Sequence, residues 1–162
     1  MEKQLFETLY RSCYQKLYLY ALSLTHNRAD AEDLTANTFV KALTTFTQGN
    51  LQAWLYTVLR NEFFDWQKRR KHSVSFEDKA LENLPGDQDV WQIVLEDERR
   101  RWLYRQISRL PRPEQEVLLL TVQTDWKDEQ IAAVLGLTAA HVRVLRHRGK
   151  KQILLQAEEE PI

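Results

Sequence analysis

Ala132, Gly136 and Val142 stand four and then six residues apart, just ahead of a run holding Arg143, Arg146, Arg148, Lys150 and Lys151. The spacing meets the physical demands of a helix-turn-helix. A small residue at Ala132 lets a second helix cross closely, Gly136 can take the positive φ of a tight turn, and Val142 plugs the crossing. Ile131, Leu135 and Leu137 add apolar contacts on the same side. With about 3.6 residues per turn, Ala140, Arg143, Val144, His147, Arg148 and Lys151 then face away from Val142 and Gly149. A cationic helix presented in this way can enter the DNA major groove, where arginine pairs with guanine edges or with phosphates. An isolated basic stripe is more often a solvated helix face, and the turn pattern in front of this one favours DNA. The candidate contacts are Thr138, Ala140, His141, Arg143, Arg146, His147, Arg148, Lys150 and Lys151. Arg146 falls about 40° from Val142 around the helix, so its stem is expected to follow the buried stripe and carry the guanidinium out to a phosphate.

A second constellation lies earlier. Ala53-Trp54-Leu55-Tyr56 opens a helical run whose more polar surface holds Arg60, Asn61, Asp65, Lys68, Arg69 and Arg70. Aromatic faces can stack on unpaired bases, polar side chains can read exposed edges, and a basic run can hold phosphates, so the mixture suits opened DNA. Trp54 and Trp66 serve a core equally well.

Acid and base chemistry is poorly supplied. Carboxylates such as Glu32 and Asp33 with His26 are the candidates for acid, base or metal-ligand work, and acids at a helix start suit the positive end of the dipole. The sequence has no phosphate-cradling glycine loop, no histidine pair at metal spacing and no nucleophile in a recognisable setting, so neither an enzyme nor a metal or cofactor site is expected. Cys13, the single cysteine, cannot form an intramolecular disulfide. No stretch approaches the roughly 18 apolar residues of a membrane span, and Met1 to Thr8 carries no signal pattern. A cytoplasmic protein without membrane insertion is expected.

The elements that must position these residues are helical. Only 4 Gly and 4 Pro interrupt 162 residues, and helix-forming residues are frequent. Phe6, Leu9, Tyr10, Cys13, Leu17, Ala21 and Leu24 recur at spacings of three and four, marking one long helix that stops near His26-Asn27. A second helix starts around Asp30 with Ala31, Leu34, Thr38, Ala42 and Phe46 on its apolar face, and Gly49-Asn50 turns the chain into the third. Residues 73 to 91 read as a flexible acidic linker, holding Glu77, Asp78, Glu82, Asp87 and Asp89. Helical periodicity returns around Val90 and breaks at Pro111, and Pro113 suits the first position of the next helix. Trp91 and Trp126 are expected to be exposed. The fold predicted is all-α: two small helical domains, 2–72 and 92–157, joined by that linker, the second holding the helix-turn-helix. The formal net charge of zero hides a segregation in which two basic runs flank the acidic linker.

Specific segments resemble one family. Asn27 through Ala42 (NRADAEDLTANTFVKA) is similar to the polymerase-docking segment of extracytoplasmic-function sigma factors, and Ala53 through Arg70 to their promoter-melting and minus-ten-reading helix. Leu110-Pro111 through Leu120, followed by the helix-turn-helix, resembles their minus-thirty-five-reading domain. The order matches along nearly the whole chain outside the linker and tail. The resemblance implies a protein without catalysis of its own that binds core RNA polymerase, directs it to selected promoter DNA and helps separate the strands, with an anti-sigma factor as a further partner. It implies that Asp30, Glu32, Asp33 and Asn37 contact the polymerase, and that Asn61, Asp65, Arg69 and Arg70 serve the minus-ten element. Two departures stand out: Thr124-Asp125-Trp126-Lys127 replaces a glycine-containing approach to the helix-turn-helix, and Leu145-Arg146 reverses the family's Arg-Leu order. The nearest rival is an ordinary helix-turn-helix regulator, which leaves the docking and strand-reading matches of residues 2–72 unexplained.

Overall fold

The computed structural model describes residues 2–73 and 90–162; the acidic stretch from 74 to 89, most of the expected linker, lies outside the described residues. Among the described residues there are helices and no strands, so the fold is all-α as the sequence indicates. The backbone groups into two units, Met1–Val90 and Trp91–Ile162.

The first unit holds α1 (Lys3–Thr25), α2 (Arg28–Thr45) and α3 (Leu51–Ser73), each packed on the other two. His26 ends α1 in the left-handed region at φ 54°, its N–H donating to the Leu22 carbonyl. The chain then turns at once into α2, where the Asn27 side chain accepts from the Asp30 N–H at 2.9 Å. This cap starts α2 two residues earlier than the acids alone suggest, because an Asn oxygen can satisfy a first-turn donor that an acid further along cannot. Asn50 does the same for α3, accepting from Ala53 N–H at 3.1 Å.

Leu17, Leu19, Tyr20, Ala21 and Leu22 of α1 meet a core that includes Ala31, Leu34, Phe39 and Ala42 of α2 and Leu55, Tyr56, Leu59 and Phe63 of α3. Tyr20 and Tyr56 pack edge to face with centroids 5.2 Å apart. Buried Ser23, Thr35 and Thr38 each donate to the carbonyl four residues back, so no hydroxyl there is left without a partner. The early part of α1 is less buried than its periodicity suggests, with Tyr10 41% exposed. There Phe6, Tyr10 and Tyr14 lean on Phe39 at 5.1 to 6.2 Å instead of entering the core. Burial, with the neighbouring Tyr10 and Glu32 adding to it, raises the Tyr14 phenol above its ordinary value.

The second unit comprises α4 (Val90–Val94) apart from its first residue, α5 (Glu98–Ser108), α6 (Arg112–Gln123), α7 (Asp128–Leu135) and α8 (Ala139–Glu159). Its core includes Ile107, Leu119, Leu120, Ile131 and Val142, all fully buried, and each contributes roughly 1.5–3 kcal/mol of burial. Trp91, expected to be exposed, is 3% exposed and stacks on Tyr104 at 5.2 Å; a ring that large gains more from that stack than from water. Burial raises the Tyr104 hydroxyl pKa, while the Gln123 amide donated to that oxygen at 3.0 Å acts in the opposite sense. α6 begins at Arg112 with Pro111 at its cap, which places Pro113 second in the helix instead of first. The tail also takes part: Trp102 Nε1 donates to the Glu160 carbonyl at 2.8 Å, and Arg109 pairs with the Glu160 carboxylate.

Candidate nucleic-acid interface

The turn between α7 and α8 shows why its residues have their types. Gly136 sits at φ 68°, where a Cβ is disfavoured, and Leu137 N–H returns to the Ala132 carbonyl at 2.9 Å. Thr138 caps α8 by accepting the His141 N–H at 3.1 Å. Ala132 and Val142 are 5% and 0% exposed, as close helix crossing requires. On the first helix of the pair, Gln130 Oε1 accepts the Lys127 N–H at 3.1 Å, and acidic Asp128 and Glu129 occupy the first turn. Thr124 steadies the unusual approach by accepting the Trp126 N–H at 3.2 Å, so no glycine is needed there.

α8 turns Thr138, Ala140, His141, Arg143, Val144, His147, Arg148, Lys150 and Lys151 outward and buries Val142, Leu145 and Gly149. Arg146 departs from its expected place at the groove edge. Its Nε donates to Thr121 Oγ1 at 3.1 Å and its Nη2 lies 2.6 Å from Asp128 Oδ1, so the half-buried guanidinium is tied to α6 and α7. The reason lies in its angle: a stem that close to the buried stripe meets the ends of α6 and α7 before it meets solvent. The same arginine holds the Asp128 carboxyl below its ordinary range, with Arg143 adding to the effect.

In the first unit, Asn61, Asp65, Lys68 and Arg69 are exposed along α3, whereas Trp54, Arg60 and Arg70 are partly covered. Trp54 packs edge-on against Phe46 at 5.5 Å, and the Arg60 guanidinium lies 5.2 Å from the Phe64 ring. Arg70 sits 4.6 Å from the Trp66 ring and donates to Asp30 Oδ2 at 3.4 Å. Asp30 and Arg70 were read as serving different surfaces; the structure brings them together. Lys41 pairs with Glu62 elsewhere along the same two helices.

Glu32, Asp33 and Asn37 of α2 are exposed, together with Ala36 and Val40. Val40 is 59% exposed and missed by the sequence reading, although it lies three residues from Asn37 on the same face. Among the described residues no His, Cys, Asp and Glu group is arranged to hold a metal ion, and no helix is long and apolar enough to cross a membrane.

A helical pair crossing over a glycine turn, with a cationic second helix turned outward, defines a DNA-binding protein. Comparison with known proteins narrows the class. Residues 9–73 match sigma-70 region 2 and residues 100–153 match sigma-70 region 4. The ECF RNA polymerase sigma factor EcfG of Rhodopseudomonas palustris (strain TIE-1) is 33% identical over 88% of this chain and 80% of its own. RNA polymerase sigma factor YlaC of Bacillus subtilis (strain 168) is 29% identical over 96% of both. The sigma factor RpoE of Bartonella quintana, solved in complex with the anti-sigma factor NepR, shares the fold with a TM-score of 0.75 at 21% identity, over 98% of this chain and 99% of that one.

The chain belongs to the extracytoplasmic-function RNA polymerase sigma factors. It is a DNA-binding transcription initiation factor whose partners are core RNA polymerase and promoter DNA. The region 2 match disposes of the lone helix-turn-helix regulator, which has no use for that domain.

Proposed function

We propose that the two units divide promoter recognition, the α2 face docking on core polymerase, α3 reading the opened minus-ten element and α8 the minus-thirty-five element. The observation that carries this reading is the outward cationic face of α8 behind a Gly136 turn, in the same chain as an α3 whose exposed polar face ends in Lys68 and Arg69. Glu32, Asp33 and Asn37, with Val40 between them and the helix end, form the docking face; Asp30 acts at its margin through Arg70. Asn61 and Asp65 read strand edges while Lys68, Arg69 and Arg70 hold phosphate. Trp54, Arg60 and Arg70 are positioned by their ring and carboxylate contacts. On α8, Ala140, Arg143, His147 and Arg148 meet bases, and Thr138, His141, Lys150 and Lys151 meet the backbone. Arg146 supports the helix from within. The protein carries no catalysis of its own, needs no cofactor and acts in the cytoplasm. The structural neighbour captured with NepR supports an anti-sigma factor as a further partner.

Holoenzyme binding to a panel of single-base promoter variants tests the division. Asn61→Ala changes which minus-ten bases are accepted, whereas Arg69→Ala weakens all variants alike and lowers the salt dependence. Equal effects of both substitutions on every variant would overturn it.

A further inference from the structure

The ends of α6 and α7 and the middle of α8 meet at one carboxylate. Asp128 presents Oδ1 to Arg146 Nη2 at 2.6 Å and Oδ2 to Arg143 Nη1 at 3.5 Å. Arg146 is held a second time, by Thr121 Oγ1. That hydroxyl donates its own proton to the Val117 carbonyl at 2.7 Å, which leaves an oxygen lone pair for the guanidinium. The two arginines differ in exposure: the Arg146 side chain is 18% exposed and the Arg143 side chain 58%. One is spent inside the unit, and the other still faces solvent.

Resting on the reading of α8 as the minus-thirty-five helix, we propose that Asp128 is a positioning residue for base selection, anchoring α8 through Arg146 and aiming the Arg143 guanidinium with its second oxygen. Arginine has five N–H donors in a planar fork. With Nη1 turned toward Asp128 at 3.5 Å, the opposite edge of the fork stays available for the paired O6 and N7 acceptors of a guanine. The carboxylate charge 3.5 Å away biases the guanidinium toward this side before DNA arrives, so less rotamer entropy is lost on binding. A free arginine at this place reaches neighbouring phosphates as readily as a base edge, and phosphates carry no sequence information. Asp128 also sits in the first turn of α7, where the helix dipole favours its charge, so the carboxylate is present throughout the neutral range. The Leu145-Arg146 order is accommodated by the same group: Leu145 takes the buried place at 2% exposure and Arg146 the internal strut.

The test measures holoenzyme binding to every single-base variant of the minus-thirty-five element, with circular dichroism melting of each protein alongside. Asp128→Asn keeps the side-chain size and removes the charge. Discrimination at the base pairs read by Arg143 falls about tenfold, while affinity for nonspecific DNA is kept or rises. Asp128→Glu, which retains the carboxylate, restores part of the preference. In an Arg143→Ala background, Asp128→Asn alters no base preference further, and any loss from the Arg146 anchor is uniform across the panel. Should Asp128→Asn melt too low to assay, Arg143→Lys reports on the same fork with Asp128 in place, and it loses the same base preference. A uniform drop across all variants for Asp128→Asn, or an Arg143→Lys protein with unaltered preference, overturns the proposal. Arg143→Ala without effect on any DNA overturns the reading of α8 itself, a different outcome from Arg143→Ala altering preference while Asp128→Asn does not.

Discussion

Gly149 decides how closely α8 lies on α6, and replacing it with alanine gives a calculable conflict. A Cβ at that position meets Leu118 Cδ1 at 2.9 Å and Cγ at 3.2 Å, with Glu114 Cβ at an ordinary 3.5 Å. The first two lie inside the roughly 3.5–4.0 Å optimum for carbon pairs. Leu118 is 3% exposed, so it cannot swing into water to make room. Overpacking of this kind costs roughly 1–3 kcal/mol, while alanine in a helix interior gains about 1 kcal/mol over glycine. Gly149→Ala therefore destabilises by about 1 kcal/mol, lowering the urea midpoint by about 0.5 M for an m-value near 2 kcal/mol/M. Against Leu118→Ala, which removes both crowding atoms, the same change stabilises by about 1 kcal/mol, so the cycle shows a coupling of about 2 kcal/mol. Gly136→Ala is the contrast: no atom lies within 4 Å, and its cost of about 1–2 kcal/mol comes from the left-handed backbone, which trimming a neighbour cannot relieve. Equal stabilisation by Gly149→Ala in both backgrounds would refute the steric argument.

Other expectations concern the remaining surfaces and the response to acid. Asp33→Arg weakens association with core polymerase without lowering the melting temperature, because Asp33 is exposed and a reversed charge at a docking face leaves an unpaired or like contact; pull-down with tagged core enzyme checks it. Asp128 and Glu160 have carboxyls held below their ordinary 3.8 and 4.5, chiefly by hydrogen bonds from Arg146 and Arg109. Their stabilisation is complete above those ordinary values and is lost as pH falls through the lower folded ones. Urea midpoints are therefore unaffected by these two groups from pH 8 to about 5 and decline below about 4, and Asp128→Asn with Glu160→Gln flattens that acid limb.

Patterns that depend on one helix at a time were legible in the sequence. The 3.6-residue period of α1 to α3, the Thr138 cap and the Gly136 turn each follow from local chemistry, and the structure shows them in place. Contacts made across helices were not legible. Nothing in the spacing pairs Asp30 with Arg70, which are forty residues apart, or brings Thr121 to Arg146. Trp91 was read as exposed, and its stack on Tyr104 of α5 is a contact that no single-helix pattern shows. Arg146 shows the limit most clearly. Its angle on α8 could be worked out, but not that Asp128, which α7 delivers, lies within reach of its guanidinium. Nor does any pattern within one helix bring Glu160 of the tail to Arg109 and Trp102.

Reconstituted transcription tests the central claim most directly. Core polymerase, purified protein and a library of promoter fragments are combined, and transcript starts are mapped with and without the protein. The account predicts discrete starts that appear only when the protein is added, share upstream elements, and are lost on Arg143→Ala or Asp33→Arg. DNA binding that is the same with and without core polymerase, together with an unchanged set of starts, would contradict it.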